Sequence, residues 1–121
     1  MAPAARQPCE LKGLPPDLER IYKEVIEAYN CKLHLLVVAG SRMILEGICS
    51  ELKITYAPDS RELVLAERFH LLESRLKFDS GILEEVRKVC NDAIHKLQVD
   101  QRYVDACVHI AEQALMKLYP K

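Results

Sequence analysis

At 121 residues the chain has the length of one domain, and half of it is apolar, enough to build a core and too much for a disordered segment. Its 17 basic and 18 acidic residues leave a formal net charge of −1. That balance excludes a global electrostatic pull toward nucleic acid, so any such binding needs a local patch or a symmetric assembly.

Aromatic residues make up 6% of the chain and there is no Trp, so the core must come from Leu, Ile, Val and Ala, a composition that suits helix packing. No apolar run nears the roughly 18 residues that suggest a membrane span. The densest, Leu33 to Ala39, is interrupted by His34 and closed by Gly40-Ser41-Arg42. Met1 to Pro8 holds one Arg and no hydrophobic stretch, unlike a secretory signal. Residues 1–13 read as a flexible tail and residues 14–121 as a single helical domain. The five cysteines (Cys9, Cys31, Cys49, Cys90, Cys107) are odd in number and never fall in a Cys-x-x-Cys pair. Four sit within apolar periodic stretches, so the expectation is buried, reduced thiols, no metal site and a cytoplasmic setting.

Five segments carry helical periodicity. In the first, opened by Pro15-Pro16-Asp17, Leu18, Ile21, Tyr22, Val25, Ile26 and Tyr29 form one stripe, with Asn30 as a left-handed stop. The second, from about Lys32 to Leu52, is apolar nearly all round in its first half, as a central helix should be. Within it Arg42 and Glu46 are an i, i+4 pair, and Gly40 and Gly47 would let a neighbour approach closely. After a loop around Thr55 to Pro58, Asp59 or Ser60 is positioned to cap a third helix with the stripe Leu65, Phe69, Leu72 and Leu76. Asp79 or Ser80 caps a fourth, whose apolar face is Ile82, Leu83, Val86, Val89, Cys90, Ala93, Ile94 and Leu97. Asp100 caps a fifth, striped by Tyr103, Val104, Cys107, Ile110, Ala111, Ala114, Leu115 and Leu118. Short connections favour antiparallel neighbours, so the expected fold is all-α, an up-and-down bundle of about five helices.

Chemistry concentrates on the fourth helix. Arg87, Asn91 and His95 recur at i, i+4 and i+8, forming a ridge that advances about 40° per step. Arg87 borders the apolar stripe, while Asn91 and His95 turn outward. Asn is a poor mid-helix residue, and Asp92 follows it directly, so this polar interruption asks for a role. His70 and His109 read as ordinary helix residues and His34, in the apolar second helix, as a satisfied core histidine, and no phosphate loop, His-Glu-x-x-His or nucleophile-elbow pattern occurs.

From Leu14-Pro15-Pro16-Asp17 to Leu118-Tyr119, through Arg42-Met43-Ile44-Leu45-Glu46 and Glu85-Val86-Arg87-Lys88-Val89-Cys90-Asn91-Asp92-Ala93-Ile94-His95, the chain resembles a bacterial family of unknown function often joined to restriction-type nucleases. That family is similar to the HEPN superfamily, helical bundles that often dimerise and include metal-independent ribonucleases. The ribonucleases share an Arg-polar-x-x-x-His motif, His moving protons and Arg stabilising phosphorane charge. Carried over, Asn91 and His95 fit the polar and His positions. Cys90 stands where Arg is expected, and Arg87 is the nearest substitute, one turn earlier. A cysteine-bearing zinc ribbon often precedes the bundle in that family; Cys9 alone does not make one.

The resemblance implies a HEPN-like homodimer with the fourth helix at or beside the interface, binding RNA or a partner protein in a prokaryotic defence or other nucleic-acid process. Arg87, Asn91, Asp92 and His95 would line the groove, supported by Arg42 and Glu46, without cofactor or membrane. Two other readings stand beside this non-catalytic one: a metal-independent ribonuclease using His95 and Arg87, and a protein-only adaptor.

Overall fold

Each apolar stripe becomes a helix: α1 (Pro16–Asn30), α2 (His34–Glu51), α3 (Leu65–Arg75), α4 (Ile82–Lys96) and α5 (Gln101–Leu118). The structure is a computed structural model and describes residues 5–57, 59 and 61–120. The expected all-α bundle of five helices is what forms, with one isolated antiparallel bridge, Tyr56 to Glu62, as the sole β pairing among the described residues. Among the described residues no helix is long and apolar enough to cross a membrane.

α2 is the hub and packs against every other helix. Its all-round apolarity supplies the reason: Val37, Val38, Ile44, Leu45, Ile48 and Cys49 are all fully buried. Against α1 it runs antiparallel at very close range. A Cβ on Gly40 would lie 2.4 Å from Val25 Cγ2, and one on Gly47 would lie 2.7 Å from Leu18 Cδ2. Both glycines are therefore contact surfaces.

The helix ends follow a rule absent from the expected stops. α1 does not stop with a left-handed Asn30; the positive φ falls on Lys32, and likewise on Lys53 after α2 and Lys77 after α3. In each case the next residue's N–H reaches back five positions: Leu33 to Ala28, Ile54 to Cys49 and Phe78 to Glu73. These are Schellman closures with lysine in the place glycine usually takes, its charge set against the negative helix end.

Two expected N-caps move. α3 begins at Leu65; ahead of it Ala57 N–H bonds Arg61 O and Leu63 N–H bonds Thr55 O, which keeps these residues out of the helix. Asp59 serves that loop by accepting from Arg61 N–H at 3.2 Å, and Ser60 lies outside the described residues. Glu67 closes the true start, accepting from Val64 N–H. For α4 neither Asp79 nor Ser80 caps. Gly81 holds the cap position with φ +90°, and buried Glu73 of α3 accepts from Gly81 N–H at 2.7 Å and Leu83 N–H at 2.9 Å. Asp100 caps α5 as expected, accepting from Arg102 N–H at 2.9 Å.

Three expectations about burial are corrected. Ile94 and Leu97 of the α4 stripe are exposed, and the chain turns left-handed at Leu97 as α4 ends. Cys31 is exposed in the α1–α2 turn, whereas Cys49, Cys90 and Cys107 are buried. The segment ahead of α1, expected as a free tail, is tied to the bundle from Arg6 to Cys9, where Arg6 N–H bonds Asn30 and Cys9 N–H bonds Tyr22. Met1 to Ala4 lie outside the described residues.

Candidate functional site

The ridge on α4 resolves into separate arrangements. Its first member, Arg87, is held by Glu84 one turn earlier in a two-point fork, Nε to Oε2 at 2.8 Å and Nη2 to Oε1 at 2.6 Å. This bond keeps the Glu84 carboxyl below the usual range and the Arg87 guanidinium above its own. The planar donors that would grip a phosphate are thus already facing a carboxylate.

Asn91, one turn on, reaches α2. Arg42 donates from Nη1 to Asn91 Oδ1 at 3.3 Å and from Nε to Glu46 Oε1 at 3.3 Å. A single guanidinium so joins the two helices and explains why an amide stands mid-helix. Arg42, Glu46 and Asn91 are brought together, and each is partly exposed. His95, in the last turn, is exposed and makes no hydrogen bond or ion pair among the described residues. Asp92 faces another side of α4, where it pairs with Lys96 at 3.3 Å. An open groove of about 830 Å³ runs there, lined by Lys88, Asn91, Asp92, Lys96 and Tyr103 among others, and takes in neither Arg87 nor His95.

Cys90 points inward. Its thiol bonds the Val38 carbonyl at 3.5 Å. A hydrogen bond with Cys107, together with burial, pushes its pKa up. Cys90 therefore cannot present charge or a nucleophile to a groove. Burial likewise pushes the Cys49 thiol up to about 11. Among the described residues no group of His, Cys, Asp and Glu is arranged to hold a metal ion. His34 opens α2 half-exposed, not in the core, while His70 and His109 are exposed.

The two helices that Arg42 joins also carry exposed apolar side chains. On α2, Leu36 is 60% and Met43 53% exposed; on α4, Ile94 is 49% exposed. Leu36, Ala39, Gly40 and Met43 line one groove with Ile21 of α1, and Leu36 also borders Val99 of the α4–α5 connection.

Two buried carboxylates went unread in the sequence, Glu73 and Glu112. Each sits four residues after one core residue and three before another, Phe69 and Leu76 for the first, Val108 and Leu115 for the second. An acid at that spacing flanks the stripe and must find a partner, which was the available signal. Comparison with known family models, curated proteins and solved structures finds no match for this chain.

Proposed function

We propose that this chain is a non-catalytic helical module that self-associates through the face formed by α2 and α4. The carrying observation is that α2 and α4, the two helices joined by the Arg42–Glu46–Asn91 cluster, both carry exposed apolar side chains, Leu36 and Met43 on the first and Ile94 on the second. An apolar seam beside a satisfied polar group is the composition of a protein interface, with apolar area for affinity and fixed polar groups for register. Ala39, between Leu36 and Met43, offers a low point at which a second α2 could cross.

The polar residues favour a protein partner over a phosphate backbone. Arg87 and Arg42 both face carboxylates, so a nucleic acid would have to displace Glu84 or Glu46 to use them. The ribonuclease reading has less support again, because His95 has no orienting partner among the described residues and Cys90 is buried.

Light scattering on the purified chain tests the reading. The expected mass is twice that of one chain, and a monodisperse monomer at high concentration contradicts it. Incubation with varied single-stranded RNAs in the presence of a chelator is expected to leave them intact. Cleavage abolished by His95→Ala would establish the ribonuclease instead.

A further inference from the structure

Glu112 on α5 is 6% exposed, and its carboxylate is met by one residue of α1 and one residue ahead of it. Tyr22 of α1 donates to Oε2 at 2.5 Å, and Arg6, ahead of α1, donates its guanidinium to Oε1. Arg6 is the one cation paired with Glu112 among the described residues. The same guanidinium stacks over the Tyr29 ring, 4.8 Å from its centroid, and Tyr29 is itself fixed by a 2.7 Å bond to Asp105 of α5.

The main chain is read as well. Asn30 accepts from Arg6 N–H at 2.8 Å through Oδ1 and donates to Arg6 O at 3.0 Å through Nδ2. Three residues on, Tyr22 Oη accepts from Cys9 N–H at 2.8 Å. One residue is thus recognised at its amide, its carbonyl and its guanidinium, and its chain direction is fixed by a further bond. Helix packing does not require such a pattern; recognition of an extended peptide does.

The Cys9 thiol adds a 3.7 Å contact to Glu112 Oε2, and Leu11 packs against the core just beyond the strap. Ala5, Gln7 and Pro8 are exposed, and Gly13, with φ +74° and open space around it, turns the chain into α1. We infer that the groove between α1 and α5 is a recognition socket for an extended, arginine-bearing peptide of a partner protein, occupied here by residues 5–9 as an internal stand-in. Lysine would serve poorly, because it has no planar group to lie on Tyr29 while meeting Glu112. When the strap leaves, Glu112 is a buried charge without its cation, so the open socket favours capture of another arginine. A tethered strap competes at high effective concentration, which keeps the socket closed against weak ligands.

The test uses a fluorescent peptide copying residues 5–12 with Cys9→Ser, titrated by anisotropy against the full chain. The Arg6→Ala chain, whose own ligand is removed, is expected to bind it at least tenfold more tightly than wild type. Replacing the peptide's arginine by lysine is expected to weaken binding at least tenfold, and adding Glu112→Gln to the Arg6→Ala chain to abolish it. Equal affinity for both chains, no binding to an Arg6→Ala chain with intact helical circular dichroism, or indifference to the lysine exchange would overturn the inference. Should Arg6→Ala fail to fold, hydrogen exchange on wild type decides. The Arg6 and Cys9 amides should then exchange at least tenfold faster than core amides of α1 and α5, and equally slow exchange would make the strap an integral part of the fold.

Discussion

Gly40 and Gly47 stand at the same kind of contact but differ in what they touch. The atom facing Gly40 belongs to β-branched Val25, whose one stiff rotor cannot step aside, whereas that facing Gly47 is the far end of the flexible Leu18 side chain. Overpacking costs about 1–3 kcal/mol, and replacing a helical glycine by alanine returns about 1 kcal/mol. Gly40→Ala should therefore lose about 1 kcal/mol or more in urea denaturation, while Gly47→Ala should stay close to wild type. Both contacts were legible as glycines in an apolar helix; which one tolerates a methyl was not, because that depends on the rotor opposite. Thiol reactivity is a second check at this scale. In the native chain an aromatic disulfide reagent should modify exposed Cys31 first and Cys9 more slowly, with Cys49, Cys90 and Cys107 reacting only on unfolding.

Helix termini show why element boundaries are harder to read than element existence. The stripes that define five helices are local and periodic, so they survive as written. The caps depend on what the chain meets in space. α4 begins on Glu73, ten residues before the Leu83 N–H it caps, and no local motif announces a cap delivered by another helix. Glu73→Ala should cost about 2 kcal/mol from two orphaned N–H groups, with Glu73→Gln milder because one acceptor remains. Asp100 is the local counterpart. Bonding to the Arg102 N–H and side chain holds its carboxyl below the usual range. Its contribution is thus present above the ordinary carboxylate pKa near about 4 and is lost as pH falls through the lowered folded value. Thermal melts should show stability falling on acidification below about pH 4. Asp100→Asn, which keeps the capping oxygen and removes the titration, should lessen that fall.

Across the whole molecule, α2 as hub decides which surfaces remain available. Its core side meets every other helix, and what is left over is the strip carrying Leu36, Ala39 and Met43 between α1 and α4. The candidate site was legible in part. The i, i+4 spacing singled out Asn91 as a mid-helix amide asking for a role, but its partner Arg42 lies 49 residues away, and the Glu84 fork on Arg87 competes with the phosphate role that spacing suggested. Exposure of Ile94 was illegible, because an apolar residue in phase with a stripe reads as core, and whether another helix covers it is not a local property. Sedimentation velocity of wild type beside a Leu36→Asp/Met43→Asp chain tests the proposed α2–α4 interface most directly. Wild type should sediment as a dimer and the variant as a monomer with unchanged helical circular dichroism. A wild-type monomer at high concentration, or a variant that stays dimeric, would contradict it.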